Sequence, residues 1–451
     1  MTTEDIVRAI KEYDGKKVKF AVTDIDGVLR GKIISKSKFL KSAEHGLGFC
    51  NVVFGWDIND AVYDNSEVTG WHTGYPDAEA TIDLSTFRRI PWDKNIPFFL
   101  GDFRKSKEIS GICPRTLLRK IRRECVELGY KPAFASEFEW FNFRETPQSL
   151  KEKKYWDPSP LTPGRFGYSV LRSSQNADYF NDIYDLMDDF DVPIEGLHTE
   201  TGDGVYEACI EYTDVLEAAD RAACFKTGVK EIAYNYDIIA SFMAKWNIDL
   251  PGCGGHIHQS LWNESGNRNL FWDDSGHHQM STLMEHYTAG ILHCLPYILP
   301  MYAPTVNSYK RLVEGSWAST SVSWGVDNRT TAVRIINSSA PSMRLEMRAP
   351  GADANPYLAM AASLASGLYG IKHELSLETP ETDGNEYENK QTNSLPDTLK
   401  EAINVMKSSD LPKKLFGKSF VDHFVRTREW ESRQFAKQVT NWELKRYFEI
   451  V

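Results

Sequence analysis

The 451-residue sequence has no C-x-x-C pair, and its seven cysteines (Cys50, Cys113, Cys125, Cys209, Cys224, Cys253 and Cys294) are an odd number. That excludes a disulfide framework and a paired-thiolate zinc site, and points to reduced, mostly buried thiols in a cytosolic protein. Basic charge is also scarce: 52 Lys+Arg stand against 63 Asp+Glu, a net charge of −11. Nothing in that balance neutralises a phosphate backbone, so no nucleic-acid partner is expected. Long apolar runs are missing too. The opening MTTEDIVRAIKEYDGKK is charged throughout and lacks the apolar core of a signal peptide, so the protein is expected in the cytoplasm. From Tyr287 to Tyr309 no residue is formally charged, but Pro296, Pro300, Pro304 and His293 interrupt the stretch. It reads as a buried helix running into a loop, not as a membrane span.

What is present is an ordinary globular mixture, 41% apolar, 25% charged and 12% aromatic, long enough for two domains or one large domain with an appendage. In VKFAVTDIDGVLRGKII, the Asp26-Gly27 turn between apolar runs predicts a hairpin. An aromatic, loop-like tract follows, GLGFCNVVFGWDIND. In PRTLLRKIRRECVELGY, the spacing of Leu117, Leu118, Ile121 and Val126 predicts a helix that stops at Gly129. The boundary is placed near residue 110, giving domains 1–110 and 111–451. The polar segment 378–393 reads as an exposed loop, Tyr387 included.

Four segments carry acids, histidines or arginines in patterns that gather chemistry. Period-2 spacing puts Glu137 and Glu139 of FASEFEWF on one face of a strand, with Phe138 and Trp140 on the other. His256 and His258 share a face in GCGGHIHQSLW, as do Arg344, Glu346 and Arg348 in SMRLEMRAP. In HTETGDGVYEA, Glu200 and Glu207 flank a glycine-containing turn. Taken singly, each pattern also suits a solvated face or a cross-strand ion-pair ladder. Together they supply five carboxylates, two histidines and two arginines beside glycines and aromatics. That combination suits hard divalent cations, with arginines free for an anionic substrate or phosphate.

The same segments resemble the glutamine synthetase family, in order and over nearly the whole chain. They are DIDGVLRGK (24–32), SEFEWF (136–141), HTETGDGVYE (198–207), GCGGHIHQSL (252–261), NSYKRL (307–312), DNRTTAVR (327–334), RLEMRAPGADANPYLA (344–359) and TNWELKRY (440–447). The resemblance implies an α+β protein. Its N-terminal part would be a β-grasp domain, and its C-terminal part a catalytic domain with a curved antiparallel sheet. Subunits would assemble as a homo-oligomer of stacked hexameric rings, with each active site shared between neighbours. It implies one Mg²⁺ or Mn²⁺ at Glu139, Glu200 and Glu207, and a second at Glu137, His256 and Glu346. Glu195, His258, Ser260, Arg329 and Arg334 match ATP-binding positions, Arg329 also serving catalysis, and Gly252, Arg311 and Arg348 match positions that hold L-glutamate. In the implied reaction ATP converts glutamate to γ-glutamyl phosphate, and a nitrogen nucleophile displaces phosphate.

The chain departs from the family pattern where ammonium would be held. Cys50 stands at the place of an N-terminal acid, with Asp57 the nearest acid after it. Trp317 stands six residues after Arg311, where an acid is expected, and Val205 replaces a Gln. Ammonium is small and well hydrated and needs oxygen ligands, whereas an aromatic wall suits an amine's carbon substituent. The expected activity is therefore a glutamate–amine ligase using an organic primary amine, with Asp57 a candidate general base. The alternatives are a glutamine synthetase using ammonia and a catalytically inactive structural member of the family.

Overall fold

The computed structural model describes residues 1–389 and 392–451. Its first sheet has six strands. Lys17–Thr23 and Leu29–Ser35 form the expected hairpin, with Thr23 opposite Leu29. The turn works because Gly27 adopts φ +84°, and because Asp24 Oδ1 accepts from the N–H groups of Asp26 (3.0 Å) and Val28 (2.9 Å). Lys17–Thr23 also runs parallel to Ile96–Asp102, the pairing that makes this a β-grasp sheet. Helices Thr3–Glu12 and Lys36–His45 turn Ile6, Ile10 and Phe39 into the core that the sheet supplies with Val18, Phe20, Val22 and Phe99.

The helix expected after residue 110 spans Pro114–Glu127, with proline at its first position and Gly129 past its end at φ +84°. Leu117, Leu118 and Ile121 are buried, but Val126 is 47% exposed. The i+3/i+4 stripe continues through Cys125 instead, so the thiol takes the buried place assigned to Val126. All seven cysteines are free; Cys50 and Cys209 are only partly buried.

The second sheet has nine strands and is antiparallel except for one pair at its edge. Lys131–Phe143 lies at its centre, between Gly255–Trp262 and Val205–Ile210; Arg344–Met347 and Val333–Ile336 extend one side and Ile194–Thr199 closes the other. Its rear face is aromatic. Phe138 and Trp140 pack with Tyr206, Phe225 and Phe242, and helix Val215–Tyr234 lies against this layer. Helices Thr282–Ile298 and Pro356–Lys372 pack on each other behind it. The first of these contains Pro296, ends two residues later and passes into the 3₁₀ turn Leu299–Met301, as the uncharged stretch suggested. Among the described residues no helix is long and apolar enough to cross a membrane.

A late helix, Lys418–Phe435, straps the two sheets together. Arg428 pairs with Asp26 (2.5 Å), and the Trp430 indole N–H donates to Asp57 Oδ2 (3.0 Å). The segment 378–389 is less exposed than its composition suggested; residues 390 and 391 lie outside the described residues. Glu386 is buried and accepts from Ser321 (2.5 Å) and Thr382 (2.7 Å). The Tyr387 hydroxyl donates to the Ala318 carbonyl (3.1 Å), so that side chain is anchored.

Candidate active site

Directly opposed residues in an antiparallel sheet share a face. Here Glu137 opposes His256, Glu139 opposes Glu207, His258 opposes Glu346, and Glu346 opposes Arg334. The period-2 patterns of four separate segments thus converge on one side of one sheet.

Glu137, His256 and Glu346 form a compact group: His256 Nδ1 lies 3.1 Å from Glu137 Oε1 and 3.3 Å from Glu346 Oε1. His258 Nε2 lies 3.5 Å from Glu137 Oε2. Glu346 also accepts from Arg334 Nη1 (2.8 Å) and pairs with Arg348. Burial opposes ionisation of Glu346, but Arg348 and the two histidines hold its carboxyl down at about 2. Glu137 is likewise held well below the usual range, because hydrogen bonds from His256 and His258 outweigh burial.

The other half of the site is short of positive charge. Glu200 and Glu207 meet across a turn whose Gly204 has φ +69°, with Glu200 N–H donating to the Val205 carbonyl (2.9 Å). Burial, reinforced by Glu137 and Glu139, pushes Glu207 up to about 7 against the pull of His198. Burial also raises Glu139, although its Oε2 accepts the Gly254 N–H at 2.7 Å. Glu200 Oε2 is buried with no hydrogen-bond partner. An orphaned carboxylate oxygen among acids that resist ionisation fits a site for a hard divalent cation. Glu139 is the member turned aside, onto backbone.

The positions expected to hold substrate also group. Gly252 lies so close to Arg311 that a Cβ there would meet Arg311 Cγ at 2.9 Å. The Arg311 guanidinium is buried on the Ala349 (3.1 Å) and Arg348 (3.3 Å) carbonyls, and burial lowers its pKa. Arg348 donates to the carbonyls of Arg329 (3.1 Å) and Trp317 (3.3 Å). Glu195, His258 and Ser260 line one cavity of about 380 Å³ beside Glu137. Arg329 and Trp317 instead line another, of about 350 Å³. Arg334 pairs with Glu346 and Asp327.

Three expected members fall elsewhere. Val205 is 3% exposed and belongs to the apolar core with Phe141; it shares the strand face of Glu207 but lines neither of these two cavities. Cys50 ends an N-terminal strand and donates to the Tyr75 carbonyl (3.4 Å). Asp57 is occupied, accepting from Asn59 (2.9 Å), Ala61 (3.0 Å) and Trp430 (3.0 Å). Within one chain, neither Cys50 nor Asp57 has a site residue among these partners. Two residues escaped the sequence reading. His198 lies 3.2 Å from Glu207 Oε1 and 3.8 Å from Glu200 Oε2; burial disfavours its charge, but the Glu207 hydrogen bond and charge push it up to about 9. Its period-2 spacing from Glu200 was the available signal. Arg344, placed on the correct face but given no role, donates to His258 Nδ1 (3.1 Å) and lines the 380 Å³ cavity.

A sheet face carrying a carboxylate–histidine cluster, ringed by arginines, suits metal-assisted phosphoryl chemistry. The profile described as "Glutamine synthetase, catalytic domain" matches residues 111–447, and the chain belongs to the glutamine synthetase family. The family match makes the enzyme an ATP-dependent carbon–nitrogen ligase. Type-1 glutamine synthetase 2 of Dictyostelium discoideum is 49% identical over 100% of this chain and 87% of its own. The glutamate–isopropylamine ligase of a Pseudomonas species is 36% identical, over 98% and 97%. A solved structure titled as a GmaS/ADP complex superposes with a TM-score of 0.85 at 26% identity, covering 99% of both chains. Members of this family use ATP and divalent cations, act on glutamate with ammonia or an amine, and form oligomers.

Proposed function

We propose that the protein joins the γ-carboxylate of L-glutamate to an organic primary amine, with ATP as phosphoryl donor. The observation that carries this reading is Trp317. Its backbone lies at φ +61°, a conformation that bulky residues seldom adopt, and its indole is 61% exposed. The Trp317 carbonyl is caught by Arg348, so the strain is held against a residue assigned to substrate. An indole displayed there offers an apolar wall in place of a carboxylate. Each methylene buried against it contributes roughly 0.8 kcal/mol, so a three-carbon substituent adds about 2 kcal/mol, near a thirtyfold effect. The relative named for isopropylamine supports the same reading.

In this mechanism Arg311 and Arg348 bind the carboxylates of glutamate and orient the γ-carboxylate. Arg329 and Arg334 hold the nucleotide phosphates, with Glu195, His258 and Ser260 beside the nucleotide. Divalent cations at Glu139, Glu200 and Glu207 and at Glu137, His256 and Glu346 would offset phosphate charge during transfer. Once γ-glutamyl phosphate has formed, the amine lone pair attacks its carbonyl, the bond from that carbon to the phosphate oxygen breaks, and the proton shed by nitrogen passes to a general base or to the departing phosphate. Asp57 or Cys50 could serve this site only from a neighbouring subunit. Ring assembly is supported by the exposed apolar C-terminus, where Trp442, Phe448 and Ile450 lie open in the single chain.

Ammonia use is the second reading, favoured by the 49% identity to a glutamine synthetase. Phosphate release with ATP, glutamate and Mg²⁺, measured for ammonium chloride against alkyl, polyamine and aromatic amines, decides between the two. Some primary amine is expected to exceed ammonia at least tenfold in kcat/KM. Trp317→Ala should erode that preference without raising the KM for ATP. If ammonia is the best substrate, the amine reading is wrong; if no nucleophile supports phosphate release, the protein is the inactive structural member.

A further inference from the structure

The loop leading into helix Thr282–Ile298 holds two adjacent histidines, His277 and His278, that the site on the sheet does not use. His278 lies at φ +53° and Gln279 at φ +58°, two consecutive non-glycine residues in the left-handed region. This backbone turns the His278 ring onto Glu381, with Nε2 2.8 Å from Oε2. The His277 ring stands beside it, the two centroids 3.9 Å apart. One ligand atom from each of His277, His278 and Glu381 lies within 4.8 Å of the others.

We propose that His277, His278 and Glu381 form a further metal centre at the edge of the sheet, apart from the carboxylate–histidine groups on its face, that takes a zinc-class divalent ion. Two imidazoles, which are borderline ligands, joined by one hard carboxylate suit Zn²⁺ and are poor for Mg²⁺, which prefers an all-oxygen shell. A tetrahedral ion with bonds of about 2.0–2.1 Å needs ligand atoms about 3.3 Å apart, so His278 and Glu381 have only to part by about 0.5 Å. His277 is exposed, which leaves the fourth position to water.

The site joins two parts of the chain far apart in sequence. Glu381 pairs in parallel with Trp324, and Thr382 N–H donates to the Trp324 carbonyl (2.9 Å). Asn328, next to Arg329, donates to the carbonyls of Thr382 (3.0 Å) and Gly384 (2.8 Å). A bound ion therefore pins the 381–384 segment between the histidine loop and the stretch that carries Arg329.

The test is a Zn²⁺ titration of the metal-free oligomer, parent against variants, so that Zn²⁺ taken by the carboxylate–histidine positions of the sheet is common to all of them. The expected result is one more Zn²⁺ per chain in the parent than in His277→Gln, or binding of that Zn²⁺ weakened at least tenfold, and the same in Glu381→Gln. Because His277 lies outside the active site, His277→Gln should keep the Mg²⁺-dependent turnover of the parent when Zn²⁺ is absent. Co²⁺ as probe should give the visible absorption of a four-coordinate site in the parent and not in His277→Gln. Unchanged Zn²⁺ stoichiometry and affinity in His277→Gln, or no Zn²⁺ binding by the parent, overturns the proposal.

Discussion

Glu139, Glu200 and Glu207 gather negative charge that nothing nearby neutralises fully, and at the scale of single residues this is the protein's most informative feature. A carboxylate pushed up to about 7, as at Glu207, is held in an unfavourable state by its burial and then by the acids beside it. Selection for packing alone would have replaced such a cluster with apolar residues. Glu139→Ala should therefore cut turnover at least a hundredfold and raise the Mg²⁺ concentration needed for half-activation, while thermal unfolding and oligomer size stay near those of the parent. A variant with full activity at the same Mg²⁺ concentration would falsify the metal assignment. The opposite half, at Glu346, is already matched by Arg334, Arg348 and His256. The two proposed cation positions thus differ in the charge of the side chains around them.

At the scale of elements, the site depends on strand register and on one turn. A slip of one residue would send Glu137 and Glu139 into the aromatic layer and bring Phe138 and Trp140 to the front. The rear layer of Trp140, Tyr206, Phe225 and Phe242 prevents this, because it leaves no room for a charge. The turn from Glu200 to Glu207 is more delicate. At Gly204, φ is +69°, and a Cβ would lie 2.5 Å from the Asn142 carbonyl oxygen. Gly204→Ala is therefore expected to cost more than about 1 kcal/mol at the turn. It should displace Glu200 from Glu207 and raise the Mg²⁺ requirement severalfold, with little change in far-UV circular dichroism. Activation by Mg²⁺ at the parent's concentration would show that the turn does not position the acids.

For the whole molecule, helix Lys418–Phe435 is decisive, since it carries Arg428 and Trp430 to the N-terminal sheet. The same helix buries His423, whose two ring nitrogens have no hydrogen-bond partner. Burial, with the charges of Arg428 and Arg426, lowers its pKa to about 4. A group depressed in the folded state takes up its proton in the unfolded chain first. Stability is therefore complete above about pH 6.5 and is lost as pH falls towards 4. The loss amounts to at most about 3 kcal/mol, from a shift between about 6.5 and about 4. Urea midpoints measured from pH 7 to pH 4 should fall for the parent and fall less for His423→Leu. Parallel profiles for the two proteins would assign the acid sensitivity to other groups.

Patterning that repeats within one strand or helix was legible in the sequence. Period-2 spacing placed Glu137 with Glu139, His256 with His258, and Glu346 with its flanking arginines, because side-chain alternation is a local property of extended backbone. The Asp26-Gly27 hairpin and the helix after Pro114 were legible for the same reason. Only the folded chain decided which faces meet. The antiparallel registers turned four strand patterns into one site and brought His198 between two acids, a contact that depends on how a turn closes. Tertiary packing also buried Val205 and took up Oδ2 of Asp57 through the distant Trp430, while its Oδ1 closes a local turn on Asn59 and Ala61. Tyr387, expected in an exposed loop, was anchored for a similar reason: its partner, the Ala318 carbonyl, comes from a distant segment. Composition and local periodicity thus set the chemistry available to this protein, and long-range pairing determined where that chemistry is done.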